Sequence, residues 1–422
     1  MEEIKLKGLN EVIYYDKCKN GLKVYLWVNK KVNTFYGTLS VKYGSIYKDF
    51  KIGNKVYKTP YGIAHFLEHI KFNEREGVSA QDFYKKTGCD TNAFTTFDYT
   101  NYQVFGTSEC SKNVCHLLDF VENDYFTKKI VNNEKGIIVE EATSSMDNPY
   151  TMMYFNLIKN MFSYSDYSTI ITGEKEDVKS ITYEDIKLVY NSFYHPENMF
   201  LIVTGNFNPY EVMESIKENQ DKKEFNKFVK PVRIFKKDNK KVNVKYEEVA
   251  KNVSTKKIKV GIKVPVKDLK EFDEIHIRMY LGILLNANFG STSDFRDELL
   301  SKELINNMGY SYEKIDDYYV LSLTIESNYK EEVLKIINDK LDNLSIDEKT
   351  FNRKKKCNIA SLVLDYENVE TVNDLLQFEI INFGDVLDNY KEIYENLKYK
   401  ELLKFLSTLT LKERSILIYN PK

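Results

Sequence analysis

Apolar residues recur along this chain with two different periods, and the switches between them mark out its elements. Residues 11–15 and 22–28 flank Lys19-Asn20-Gly21. An Asn-Gly between two such runs signals a hairpin. Residues 34–43, TFYGTLSVKY, continue with Thr, Val and aromatic side chains and predict a third strand. Residues 44–60 carry no clear period and read as a loop. In residues 61–72, YGIAHFLEHIKF, the period changes. At about 100° per residue Ile63, Phe66, Leu67 and Ile70 fall on one stripe of a helix, and His65, Glu68 and His69 gather on the opposite one. A short helix over 79–87, stopped by Gly88, leads to a pair of strands, 89–98 (CDTNAFTTFD) and 100–107. Helical spacing returns over 111–126.

A further helix spans 131–146, with Asn132 or Asn133 as its cap. Helices over 150–162 and 183–193 follow, the second opened by Thr182 with Asp185 as a capping box. Residues 200–205, FLIVTG, predict a buried strand. Residues 218–245, rich in Lys, Glu and Asn, predict a solvated linker. Beyond it come a strand over 257–264, helices over 271–285 and 295–305, and strands within 310–327 around Asp316-Asp317. Helices over 329–341, 349–366, 369–381 and 402–409 precede a closing strand over 415–419. That order echoes the first half. The expected fold class is therefore α+β, with two structurally related domains of near-equal size, 1–217 and 246–422. Each is an antiparallel-rich sheet with helices packed on it.

Composition narrows the function. The length of 422 residues suits roughly two to four domains. Lys plus Arg number 61 against 63 Asp plus Glu, so no strong field favours nucleic acid or a membrane surface. No apolar run approaches the ~18 residues a membrane helix needs. The start, MEEIKLKGLNEV, has no basic region followed by an apolar one, so no signal peptide is expected. The five cysteines are odd in number and lack C-x-x-C spacing. They read as reduced thiols, which implies a cytoplasmic location and excludes a cysteine zinc site.

The chemistry concentrates on the helix of residues 61–72. His65 and His69, one turn apart, can grip one Zn²⁺, and Glu68 sits on the same side: the inverted zinc motif H-x-x-E-H. The chain has only five histidines, so this pairing is unlike chance. A catalytic Zn²⁺ takes three protein ligands and leaves one position open. Glu134 and Glu141 share a helix face two turns apart, whereas Glu140 is turned by about 100°. Spacing alone leaves Glu134 and Glu141 both open as the third ligand. The second domain has only His276 and no such motif, so it is expected to be metal-free.

HFLEH, followed some seventy residues later by EKGIIVEE and then MDNP, resembles the pitrilysin family of zinc metallopeptidases, which includes mitochondrial processing peptidase and insulin-degrading enzyme. The resemblance covers residues 10–210 well and the remainder loosely. It makes Glu141 the third ligand and Glu134 its companion in catalysis. It also assigns the substrate-pairing strand to Asn92-Ala93-Phe94-Thr95, and it matches Tyr194-His195-Pro196-Glu197-Asn198-Met199 to a motif that closes the family's first half. The fold it implies is half of a clamshell chamber. Active members carry an Arg and a Tyr seven residues apart that contact the substrate carbonyl. Here Leu300 and Asn307 stand at those places, with Arg296, Tyr310 and Tyr312 nearby but out of register. In two-chain relatives the other subunit supplies that pair, so a dimer, and a heterodimer in particular, is implied.

The expected function is a zinc-dependent endopeptidase hydrolysing extended or unstructured peptides, with leader or precursor peptide processing as its role. Zinc held by His65, His69 and Glu141 activates water, and Glu68 acts as the general base. The alternative is a non-catalytic or partner-dependent peptide-binding subunit of a heterodimeric peptidase.

Overall fold

The computed structural model describes residues 1–422, which part into two compact units. Unit 1 comprises Met1–Ser144, Thr169–Ile234 and Leu362–Tyr390; unit 2 comprises Ser145–Ser168, Phe235–Ser361 and Lys391–Lys422.

Unit 1 is built on a seven-stranded sheet. Its spatial order is Glu2–Lys5, Val12–Lys17, Lys23–Val28, Met199–Gly205, Phe35–Val41, Thr100–Gly106 and Asp90–Thr95. The expected hairpin is present, with Lys17 opposite Lys23. Met199–Gly205 runs parallel to Lys23–Val28 and antiparallel to Phe35–Val41, and every residue of this strand is buried. Such a central strand needs cover on both faces. Val24, Leu26, Leu201 and Val203 point into a core shared with Phe66, Leu67 and Ile70. Tyr25, Trp27, Phe200 and Ile202 point the other way, onto Val372, Leu376 and Ile380 of the Val369–Phe383 helix. A polar seam fixes that helix: the Thr38 hydroxyl donates to Asn373 Oδ1 at 2.6 Å, and the Ser40 hydroxyl to Gln377 Oε1 at 3.0 Å.

Unit 2 repeats the plan. Its five strands are ordered Tyr246–Lys251, Arg414–Pro421, Lys257–Pro265, Tyr318–Glu326 and Asn307–Ile315. The last strand in sequence inserts parallel to Tyr246–Lys251 and antiparallel to Lys257–Pro265, as Met199–Gly205 does between Lys23–Val28 and Phe35–Val41. Five strands of the first sheet therefore repeat the order of the second, and Glu2–Lys5 and Val12–Lys17 are additional to it. In chain order the Glu274–Phe289 helix holds the place that Ile63–Lys71 holds in unit 1. His276 hydrogen-bonds Asp273 at its N-terminus, a structural role.

The units are not two consecutive stretches of chain. The Val369–Phe383 helix belongs to unit 1, and Pro149–Met161 lies in unit 2, where Leu157 and Met161 press against Gly261. Each sheet is apolar on both faces, and each second face is covered by a helix from the other half of the sequence. A boundary at residue 217 follows composition and falls inside unit 1.

Other details depart from expectation. Residues 44–60 contain a hairpin, Asp49–Ile52 with Lys55–Lys58, turned at Gly53-Asn54. The linker's beginning belongs to the Pro209–Asp221 helix, capped by the Asn208 side chain, and Val232–Arg233 pairs with Asp49–Ile52. The helix expected over 295–305 is Asp294–Ser301. The helix expected over 131–146 begins at Lys128, where the Thr127 hydroxyl accepts from the Ile130 N–H, so neither Asn132 nor Asn133 caps it. No helix is long and apolar enough to cross a membrane.

Candidate functional site

The site grows from Ile63–Lys71. Its apolar stripe is fully buried, and burial of each large aliphatic or aromatic side chain contributes roughly 1.5–3 kcal/mol. The helix starts at Gly62, in the left-handed region at φ 80°, with no side-chain cap. A Cβ on Gly62 would lie 2.3 Å from the Thr172 carbonyl oxygen, and Gly173 is also left-handed, at φ 74°. Two glycines thus let the segment around Thr172 press directly against the start of the helix.

One turn apart, the His65 and His69 rings have centroids 4.6 Å apart. Lys128–Asp147 brings Glu141 opposite both: His65 Nε2 lies 3.4 Å from Oε1, and His69 Nε2 lies 3.3 Å from Oε2. One donor atom from each of the three lies within 4.8 Å of the others. Each imidazole nitrogen approaches a different oxygen of Glu141, at a separation close to the ~3.3–3.5 Å between ligand atoms of a tetrahedron with Zn–N and Zn–O distances near 2.0–2.2 Å. Two imidazoles and one carboxylate are also the donor set of a catalytic zinc with an open position. The residues present fit zinc.

The surroundings tune these groups. His69 Nδ1 lies 3.0 Å from Glu134 Oε1. A histidine that donates from Nδ1 presents Nε2 as its lone-pair donor, the usual way a ligand ring is oriented. Burial disfavours the charged His69, but the bond to Glu134 and the charges of Glu68 and Glu141 outweigh it and raise its pKa. His65 Nδ1 is buried without a partner, so Glu134 orients one ring of the pair only. Glu141 is held below the usual carboxylate range, chiefly by hydrogen bonding to His65. Burial pushes Glu68 the other way, above that range, although His65 and the Thr95 hydroxyl favour its ionised form. Glu140 is exposed and outside the cluster.

These groups line a cleft of about 580 Å³. One wall is the sheet's edge strand, Asp90–Thr95, which pairs only with Thr100–Gly106. Its other edge is free to accept a further strand. Asn92, Ala93, Phe94 and Thr95 all border the cleft. Asn92 Oδ1 accepts from the Ala93 N–H at 2.9 Å, and Thr95 turns its hydroxyl inward onto Glu68. Gln81, Ile171 and Thr172 complete the wall. Sequence reasoning missed them; the only signal was the pair Gly62 and Gly173, which nothing in the linear order connects.

The remaining candidates are elsewhere. His195 accepts from the Glu197 N–H and opens the Pro196–Asn198 turn, so that motif is structural. In unit 2, Leu300 is half-buried on Asp294–Ser301 and Asn307 begins the edge strand. Arg296 bonds to the Met308 carbonyl, the Ser291 carbonyl and Asn307 Oδ1. Tyr310 OH accepts from Asn286 and Tyr312 OH donates to the Arg278 carbonyl.

Comparison with known proteins gives a consistent answer. Residues 30–174 match the insulinase family, peptidase family M16, and residues 180–356 match the M16 inactive domain. A Bacillus subtilis protein described as the uncharacterised zinc protease YmfH is 37% identical over 75% of this chain and 74% of its own. A solved chain described as an M16-like peptidase, from Alicyclobacillus acidocaldarius, superposes with a TM-score of 0.91 at 25% identity, covering 98% of this chain and 99% of that one. The Escherichia coli periplasmic protease PqqL superposes at 0.76 and 16% identity, with all of this chain covering 48% of it.

Proposed function

Because the chain belongs to the M16 family of peptidases, we propose that it is a zinc endopeptidase acting on extended peptides. The observation that carries this reading is the convergence of three donors, His65, His69 and Glu141, beside a buried carboxylate at a free sheet edge. Zinc bound by those donors supplies Lewis acidity, which acidifies water and polarises a peptide carbonyl.

The chain's own groups do the rest. Glu68 takes the proton of the attacking water and returns it to the leaving amine, a role its elevated pKa suits. Glu134 holds the His69 ring. The peptide lies along Asp90–Thr95 as an added strand, with main-chain hydrogen bonds giving affinity and loose side-chain selection. Folded proteins are then poor substrates, and flexible precursors or leader segments are good ones. The five free thiols favour a reducing compartment, in line with a cytoplasmic enzyme.

A second reading has an observation of its own. Leu300 and Asn307 stand where the family's Arg and Tyr would, and the nearby Arg296, Tyr310 and Tyr312 each hold a partner within unit 2. A second chain, in a heterodimer or a homodimer, then completes the site and this chain alone is a partner-dependent peptide binder. Incubating the purified chain with an unstructured fluorogenic peptide, with and without a zinc chelator, tests both. Chelator-sensitive cleavage by the chain alone supports the first reading. Binding without cleavage until a second chain is added supports the other, and neither binding nor cleavage overturns both.

A further inference from the structure

Thr95 lies on the wall where substrate is proposed to pair, yet its side chain points away from that edge. It is 9% exposed, and its Oγ1 lies 2.5 Å from Oε2 of Glu68. A hydroxyl this close to a carboxylate forms the short, charge-assisted kind of hydrogen bond. The direction of the bond follows from its neighbours. Thr100, opposite Thr95 in the ladder, donates its single proton to the Tyr43 carbonyl at 2.9 Å. Thr100 Oγ1 then faces Thr95 only as an acceptor, at 3.4 Å. Of its two acceptors Thr95 has one much nearer and bearing charge, so its proton goes to Glu68. The other carboxylate oxygen, Oε1, accepts no hydrogen bond, and Glu68 borders the cleft.

We propose that Thr95 is a positioning residue for the general base: its hydroxyl holds Oε2 of Glu68, so that proton exchange takes place at Oε1 alone. This rests on the peptidase reading given above. The arrangement serves both halves of the cycle. When Glu68 is ionised, Thr95 donates to Oε2; when Oε1 carries the proton, Oε2 is the carbonyl oxygen and still accepts. Nothing has to rotate between the two states. A threonine suits the place because its branched Cβ is stiff in a strand and fixes where the hydroxyl points. Glu68 sits on a helix and Thr95 on the sheet edge, so the bond also ties the base to the strand against which a peptide is proposed to lie.

The test uses the full zinc-loaded chain, with its second chain if activity requires one, and the variants Thr95→Val and Thr95→Ser. Valine keeps the branched shape and loses the hydroxyl; serine does the reverse. Thr95→Val is expected to lower kcat about 10- to 100-fold with KM, zinc content and thermal midpoint unchanged, the scale for a misplaced catalytic group. Thr95→Ser is expected to stay within about threefold of the parent on the same scale. Crystal structures of the zinc-loaded variants supply a readout that needs no turnover. Glu68 should keep one carboxylate orientation in the parent and Thr95→Ser, and take more than one in Thr95→Val. An unchanged kcat in Thr95→Val, an equal loss in Thr95→Ser, or an unmoved Glu68 in Thr95→Val overturns the proposal. If no form of the chain cleaves any peptide, the peptidase reading fails by itself, and the orientation of Glu68 still decides whether Thr95 positions it.

Discussion

Replacing Glu134 by alanine separates the two glutamates that spacing alone left interchangeable and the family resemblance told apart. In the structure Glu141 faces both Nε2 atoms, at 3.4 and 3.3 Å, whereas Glu134 meets only His69 Nδ1, at 3.0 Å. Removing Glu134 therefore deletes no donor to zinc. It deletes one hydrogen bond to a charged group, which is worth roughly 1.5–3 kcal/mol. Both partners retain some solvent contact, with side-chain exposures of 19% for Glu134 and 24% for His69, which favours the lower half of that range. About 1.5–2 kcal/mol corresponds to a 10- to 30-fold weaker zinc Kd. That falls within the ~10- to 100-fold typical of groups that orient a metal ligand. Glu141→Ala removes a ligand outright and should weaken zinc further than Glu134→Ala does. Competition of each full-length variant with a chromophoric zinc chelator at fixed pH reads both constants. If Glu134→Ala binds zinc as tightly as the parent, Glu134 does not orient His69; if it binds more weakly than Glu141→Ala, the two roles are exchanged.

Glu68→Gln should retain zinc with an affinity close to the parent's and lose peptide cleavage; turnover equal to the parent's would discard Glu68 as the base. Glu379, 2% exposed on Val369–Phe383, accepts from the Leu387 N–H at 2.9 Å, and burial pushes its carboxyl from 4.5 up to about 8. The folded state thus holds a proton that the unfolded state releases, so stability is full below pH 4.5 and declines as pH rises towards 8, by about 3 kcal/mol at pH 7. Urea midpoints of Glu379→Gln should fall less between pH 5 and 8 than the parent's, and parallel pH profiles would refute the buried ionisation. Gly62→Ala places a methyl against the Thr172 carbonyl at positive φ and should cost about 1–3 kcal/mol in thermal stability together with weaker zinc binding. An unchanged melting curve would show that the segment around Thr172 yields.

What the sequence carried was local periodicity and spacing. The stripe of Ile63, Phe66, Leu67 and Ile70 is the buried face of a real helix, and Thr182 with Asp185 forms the capping box. The echo between the halves was legible because both sheets repeat one order of strands. Whatever depends on distant approach was not legible. Nothing along the chain says that Val369–Phe383 covers the first sheet, because an apolar helix face does not name its partner. The choice between Glu134 and Glu141 needed the angle at which Lys128–Asp147 crosses the histidine pair. The inward turn of Thr95 needed the pairing with Thr100. Some signals were present and overlooked: Gly53-Asn54 is a two-residue hairpin turn, and Asn208-Pro209 is a cap followed by proline at the first helical position.

The exchange of helices between the two halves of the sequence governs how this chain can be cut. Severed within 218–245, the amino-terminal fragment would keep the whole histidine pair but leave Tyr25, Trp27, Phe200 and Ile202 bare to water. Its mate would carry Val369–Phe383 with no sheet of its own beneath it. Neither piece alone is a self-sufficient folding unit, whereas the two produced together hold every surface needed to rebuild both sheets. A split protein that regains zinc only when its fragments meet is the natural product of such an arrangement, and the nick itself would cost it little.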